Sequence, residues 1–526
     1  MCKNIRHFVI IGLLLVIIAG CGKSSASPTP IQSLIQNPAG GKAGSGTYKS
    51  TDCPFTLPQG AEEAKGECGI LTVPEDRSRS NGPTIQLPVA VFKSPGANPA
   101  PEPVLFLFSN PGPVINFSWQ MHFALRDMHN GYNFVFLEQR GVGLSKPSLD
   151  CPEVDGLFLK TIDQDPRSSA VVQQNISLQR NCRESLISQK INLAAYTTAA
   201  SAADIEDLRL ALGYQQWNIY SIGYGSRWVD ELIRSYPQTI RSVIYEAVLS
   251  PESKLFLNQA SYAEASINLL FKRCSDSPEC DKAFPNLKNV FFDLVDQLNS
   301  HPITVDSTEL SSGKTYKVFV NGNRLIDLVL MAVNTASEEL LSQTPRIIFQ
   351  VRDKKYEQLS ASLGTYIGYA TPSGTVMQNR VFCVEEMRGA TDQQFLDANA
   401  KAESHIREYF NSQMQSNKDA CAIWQADDVS KGKPAARQPV KSNIPSLLLG
   451  GDYPYSTPSA WMKEAAKNIS RSTVVEFPGA GQVVSFFGPW SDCAHTLENA
   501  FLANPAGKLD ASCAAVVKKP LWITLP

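Results

Sequence analysis

The sequence predicts an α/β fold: a mainly parallel central sheet with helices on both faces, interrupted by a helical cap insertion. Three observations predict it. Short, unbroken apolar runs recur between Pro103 and Leu249 and read as strands buried on both faces. Between them lie segments whose apolar residues repeat at helical spacing. From residue 251 to 439 strong β runs stop, and they resume at Ser446. Alternating strands and helices are the signature of parallel strands joined by crossover helices.

The elements follow in order. Gly69-Ile-Leu-Thr-Val and Thr84-Ile-Gln-Leu-Pro-Val-Ala-Val-Phe read as two early strands, and Pro103-Val-Leu-Phe-Leu-Phe and Tyr132-Asn-Phe-Val-Phe-Leu as buried ones. From Ala202 to Leu212, Ile205, Leu208 and Leu212 form one helical stripe. Trp217-Asn-Ile-Tyr-Ser-Ile is a further strand. Trp228, Val229, Leu232, Ile233 and Tyr236 then mark a helix closed by Pro237. Ser242 to Leu249, Ser446 to Leu449 and Thr473 to Phe477 complete the strands. The division is a leader (1–21), a tether (22–50), a first core segment (51–250), a cap (251–439) and a second core segment (440–526). The charged stretch Arg352 to Glu357 reads as a solvated helix face.

The 526 residues carry a formal net charge of -2, so no basic field exists to attract nucleic acid. The amino terminus is more telling. Lys3, Arg6 and His7 precede an apolar run from Phe8 to Ala19, which has signal-peptide length and falls short of the roughly 20 residues of a membrane span. It ends in Ile18-Ala19-Gly20-Cys21, similar to a bacterial lipobox, with Cys21 as the lipid-bearing thiol. A Gly, Ser, Pro and Ala-rich tether follows. This address predicts an extracytoplasmic, lipid-anchored protein whose membrane contact is made through its amino-terminal lipid.

Setting aside Cys2 and Cys21 leaves ten of the twelve cysteines for disulfides in an oxidising compartment. Pairing neighbours in sequence gives Cys53–Cys68, Cys151–Cys182, Cys274–Cys280, Cys383–Cys421 and Cys493–Cys513, one of the connectivities that ten cysteines allow. No CxxC pair is present and the six histidines lack ligand spacing, so neither a metal nor a cofactor is expected.

The stretch from Ala195 to Pro251 closely resembles the nucleophile region of tripeptidyl-aminopeptidase-like (TAP-like) α/β-hydrolases. So do Cys68 to Asp76, the Pro111-Gly112 turn, Glu138-Gln-Arg-Gly-Val-Gly-Leu-Ser and Pro445 to Cys513. The resemblance implies an α/β-hydrolase fold. It also implies a serine on a G-x-S-x-G turn, its hydroxyl exposed beside backbone oxyanion donors. Here the turn reads Ser221-Ile222-Gly223-Tyr224-Gly225, with Gly223 at the nucleophile position. The acid position, in a G-x-x-D-x-x-T-P pattern, is Pro454. The histidine position, in F-P-G-x-G-H, is Gln482, whose amide cannot shuttle a proton near neutral pH. Ser, acid and His are thus matched by Gly223, Pro454 and Gln482. The oxyanion-equivalent donors are Asn110 and Tyr224, and Ser109 and Asn110 stand where the family has glycines.

Candidate substitutes are Ser221, Ser226 and Asp452, but any rescue also needs a base. His122 and His129 follow the Pro111-Gly112 turn, His301 and His405 fall in the cap, and His495 falls in a later helix, all better read as packing or surface residues. Glu138 and Arg140 resemble a D-x-R-G turn and are read as loop braces. Glu385 and Glu386 occupy a cap region where, by the resemblance, carboxylates can recognise a substrate amine, against the plainer reading of a solvated helix. The leading expectation is a pseudo-hydrolase that binds a peptide or small apolar ligand. The alternatives are an active serine hydrolase or exopeptidase with a rearranged site, and a purely structural envelope protein.

Overall fold

The computed structural model describes residues 43–524 apart from 56, 58–65, 109–111, 126–127, 129–130, 254, 311, 371–373, 426–437, 487 and 516–521. The leader, Cys21, Ser109, Asn110 and His129 therefore lie outside the described residues. Nine strands form the main sheet: β1 (Thr47–Thr51), β2 (Glu67–Pro74), β3 (Thr84–Phe92), β4 (Val104–Leu107), β5 (Phe134–Leu137), β6 (Trp217–Ile222), β7 (Ile240–Glu246), and, after the β8 (Ile303–Thr308) and β9 (Thr315–Val320) pair described below, β10 (Ser446–Gly451) and β11 (Ser472–Phe477). Their order is β1-β2-β3-β5-β4-β6-β7-β10-β11. The first three pairings are antiparallel and the rest parallel.

The parallel strands are apolar on both faces because both faces are covered. Leu105, Leu107, Val135, Leu137 and Ile219 enter one core cluster. Val104, Phe106, Phe134, Phe136, Tyr220 and Ile222 enter the other. Alternate residues of a strand point to opposite faces, so an unbroken apolar run is what a doubly covered sheet requires. The first long crossover helix runs from Thr198 to Leu212; the Thr197 side chain accepts from the Ala200 N–H at one end, and Gly213, at φ +76°, turns the chain at the other.

The insertion between β7 and β10 is mainly helical but contains a hairpin that the sequence reading missed, β8 paired with β9. Its residues alternate polar and apolar, as in Ile303-Thr-Val-Asp-Ser-Thr, so no unbroken apolar run announces it. Two other expectations are corrected. The tether is shorter than residues 22–50, because Thr47–Thr51 pairs with β2 as an edge strand. The charged run is a turn, not a helix face: one helix ends at Arg352, Lys354 adopts φ +60°, and the next helix begins at Glu357. All five neighbour disulfides form. Among the described residues no helix is long and apolar enough to cross a membrane.

Candidate functional site

β6 lies parallel beside β4, with Ser221 opposite Leu107, so the carboxyl ends of both strands lie at one edge of the sheet. In open α/β sheets ligand sites form at this edge, beyond the strands' carboxyl ends. After β6 the chain makes a sharp elbow: Gly223 adopts φ +55° and the helix Gly225–Ser235 starts at once, with Tyr224 as its N-cap. A side chain at Gly223 would be strained, whereas glycine holds this conformation at no steric cost. Gly225 is fixed by packing, since a Cβ there would lie 2.2 Å from the Leu107 carbonyl oxygen. The elbow backbone expected from the G-x-S-x-G pattern is therefore present, and the atom at its apex is a hydrogen.

Two of the candidate substitutes are engaged by partners and the third is buried. Ser226 is buried, donates its hydroxyl to the Gly223 carbonyl at 2.7 Å and accepts from the Leu249 N–H at 3.0 Å, bracing the elbow. Ser221 Oγ is buried beneath the helix start, 3.1 Å from where a Gly225 Cβ would sit, and is unpartnered among the described residues. Asp452 pairs with Arg273 of the cap helix Gln259–Ser275 at 2.6 Å and accepts from the Gly479 N–H at 2.8 Å. The Arg273 guanidinium also covers the Tyr453 ring at 4.4 Å. Ser226 and Asp452 are committed to partners, and the Ser221 hydroxyl is buried beneath the helix start.

The loops carrying Pro454 and Gln482 meet the cap directly. Asn334, in the last turn of the cap helix Gly322–Thr335, donates through Nδ2 to Gln482 Oε1 at 2.9 Å. Its carbonyl accepts from the Gln482 N–H at 2.9 Å. Ser456, two residues beyond Pro454, donates to Asn334 Oδ1 at 2.6 Å and lies 3.1 Å from Gln482 Oε1. Gly481 makes this approach possible, because a Cβ there would lie 2.1 Å from the Thr335 carbonyl oxygen. Amide, hydroxyl and amide occupy the ground where a carboxylate and an imidazole are expected. Such a set can orient a polar group, but it contains no acid or base of useful pKa. Asn334 and Ser456 were invisible in the sequence, since Asn334 is 148 positions from its partner.

Beneath the Gln482 loop lies a buried acid pair. Glu246, at the end of β7, accepts from the Val484 and Ser485 N–H groups at 3.1 Å each, and from the Ser485 hydroxyl at 2.7 Å. The Tyr220 hydroxyl lies 3.0 Å from Glu246 and 2.9 Å from Glu498. Burial, then the Glu246 charge beside it, holds the Glu498 carboxyl well above the usual range.

The cap carboxylates are neither solvated nor open to a substrate amine. Glu386 pairs with Arg227 of the elbow helix at 3.0 Å, both side chains almost fully buried. Glu385 accepts from the Thr198 N–H at 2.8 Å and the Tyr224 hydroxyl at 3.2 Å, and burial pushes its carboxyl up. The brace reading of the other turn agrees with the contacts. Glu138 accepts from the N–H groups of Val114, Ile115 and Leu144 at 2.6, 3.0 and 2.9 Å. Arg140 binds Asp204 at 2.7 Å and the carbonyls of Glu75 and Ala195 at 2.8 Å each.

The histidines do not supply a base at the elbow through any contact described. His122 is buried and stacked on Phe92 at 4.9 Å. His405 bridges Glu403 and Asp296 at 2.8 and 2.9 Å within the cap. His301 ends the helix Leu287–Ser300, and His495 falls in the helix Ser491–Ala503 as expected. Beside the turn after β4, the space bounded by Leu107, Phe108, Gln139, Ser201 and Trp228 holds only about 10 Å³ among the described residues. A drug-sized ligand needs a few hundred, so this gap is not itself a ligand site.

The sheet order, the glycine elbow after β6 and the cap between β7 and β10 define an α/β-hydrolase fold. Residues 407–513 match the family model described as TAP-like protein. Over that segment the chain resembles TAP-like proteins. It is 23% identical over 331 residues to the putative hydrolase YuaR of Escherichia coli, covering 57% of this chain and 58% of that one. It is 23% identical over 265 residues to the serine protease Hip1 of Mycobacterium tuberculosis, covering 47% and 49%. To the tripeptidyl aminopeptidase of Streptomyces lividans it is 26% identical over 207 residues, covering 37% of each. The matched region thus spans between 37% and 58% of these curated relatives. Among solved structures, the proline iminopeptidase of Mycobacterium smegmatis aligns over 83% of this chain and 98% of its own, at 13% identity and a TM-score of 0.33.

Proposed function

We propose that the protein is an extracytoplasmic, lipid-anchored pseudo-hydrolase that retains a peptide or small apolar ligand without cleaving it. The observation that carries this reading is the hydrogen-bonded set Asn334, Ser456 and Gln482, standing where acid and base would act, beside an elbow whose apex is Gly223. A nucleophilic serine needs an adjacent base to take its proton, and neither group is supplied here. The anchoring part rests on the leader and Cys21. The membrane is the partner through that lipid, and neither nucleic acid nor a cofactor is part of the reading.

The test is labelling of the purified native protein with a fluorophosphonate, followed by intact-mass measurement. No adduct is expected; stoichiometric modification of any serine ends the proposal. Names such as serine protease and tripeptidyl aminopeptidase among the relatives favour a second reading, hydrolysis by relocated groups. That reading requires turnover of acyl or aminoacyl reporters that disappears when Ser221 or Ser226 becomes alanine. Anchoring is checked separately: Cys21→Ala should release the protein from the membrane fraction.

A further inference from the structure

A second feature of the molecule is unrelated to the elbow. An open pocket of about 530 Å³ lies at the seam of cap and core, within the size range of small-molecule sites. Its walls come from the segment after β7, the cap helices Gln259–Ser275 and Asp392–Asn399, and the core helix Ser459–Ala466. Three acidic residues line it, Glu252, Asp397 and Glu464, and no lysine, arginine or histidine does among the described residues. Glu252 is held by Ser250 and by Asn468 at 2.7 Å, and Asp397 by Gln393 at 2.7 Å, all neutral partners. Only Glu464 meets a cation, Lys467, whose side chain is 68% exposed, so that pair is readily exchanged for a ligand.

The aromatic wall adds an independent indication. Trp461 and Tyr262 meet edge to face, with ring centroids 5.7 Å apart. Trp461 lines the pocket and is only 5% exposed, yet its indole N–H meets no acceptor among the described residues. An indole N–H can only donate, so an oxygen acceptor beside the ring would satisfy it. Carboxylates and aromatic faces attract a cation, and the remaining donor asks for an acceptor beside it.

We propose that this pocket binds an organic cation, an alkylammonium or guanidinium group on an apolar stem, with a neighbouring oxygen accepting from Trp461. Anions are repelled by the three carboxylates, and a neutral body of the same shape gains nothing from them. A free small amine and the lysine or arginine side chain of a peptide share this chemistry. Binding here does not depend on what the elbow does, and it is read by a different measurement.

The experiment is calorimetric titration of the mature protein at low salt with agmatine, with the capped peptide acetyl-Gly-Arg-Gly-amide, and with the same peptide carrying neutral citrulline. Saturable binding of one or both cations, and none of the citrulline peptide, is expected; which cation binds identifies the source. Asp397→Asn with Glu464→Gln should weaken binding about tenfold or more, the equivalent of one strong charge contact. Trp461→Phe, which keeps a ring and removes the N–H, should weaken it less. Absence of saturable binding by either cation at millimolar concentration overturns the proposal, as does equal binding of the citrulline peptide. Undiminished affinity in the doubly neutralised variant overturns it too. The citrulline comparison uses the unmodified protein, so it stands even where a variant folds poorly.

Discussion

The elbow after β6 and the loop after β11 depart from a working hydrolase in different ways. At the elbow the backbone is in place, with φ +55° at Gly223 and Gly225 packed on Leu107, and only a side chain is missing. At the loop after β11 the side chain is present but committed, since Gln482 is bonded through both backbone and side chain to Asn334 of the cap. One region is a vacant position on a rigid frame. The other is a joint between two parts of the molecule. A frame can be refilled by one substitution, whereas a joint must be opened before anything else can act there.

The comparison breaks first, and most severely, at the elbow helix. Arg227→Met would leave Glu386 buried without its partner, at a cost of about 3–5 kcal/mol. Chemical denaturation should show that loss, and a change under 1 kcal/mol would mean that the cap is not docked on the elbow through this pair. Next comes the joint. Gly481→Ala places a methyl against the Thr335 carbonyl, so the cap must shift, costing about 1–3 kcal/mol with increased protease cleavage of the cap. If stability and cleavage are unchanged, the loop and cap are not in contact as described.

Refilling the frame should be milder. Gly223→Ser forces a side chain into a left-handed conformation, worth about 1–2 kcal/mol, and should not react with a fluorophosphonate while Gln482 supplies no base. Adding Pro454→Asp and Gln482→His should then restore some labelling, and labelling of the single variant would show that a base is within reach after all. The smallest effect concerns the acid pair under the joint. Burial, and then the neighbouring Glu246 charge, make Glu498 harder to deprotonate in the folded state. Stability from that proton is complete below the unfolded glutamate value of about 4.3 and declines as pH rises from there through the raised folded value. Glu498→Gln should flatten the fall in melting temperature as pH rises above about 4.3; an unchanged slope would assign it to other groups.

Much of the frame was legible because local physics dictates it. Val104–Leu107, Phe134–Leu137 and Trp217–Ile222 announce themselves as unbroken apolar runs, and Gly223 and Gly225 sit where a tight strand-to-helix turn needs them. The β8–β9 hairpin was not legible, because a half-exposed ribbon alternates and resembles loop sequence. Glu385 and Glu386 misled for a related reason. Adjacent acids in a helix suggest solvent until Arg227, Tyr224 and Thr198, more than 150 positions away, are folded against them.

By itself the sequence determined the strand order's raw material, the residues at the apex and loop positions, and the ten cysteines that staple the chain, because these depend on side-chain identity and short-range periodicity. The tertiary structure alone decided what those loop residues touch. Asn334 reaches Ser456 and Gln482, and Arg273 takes Asp452, because hydrogen bonds and ion pairs between distant segments exist only once packing brings them within about 3 Å; the same packing gathers Glu252, Asp397, Trp461 and Glu464 around one pocket.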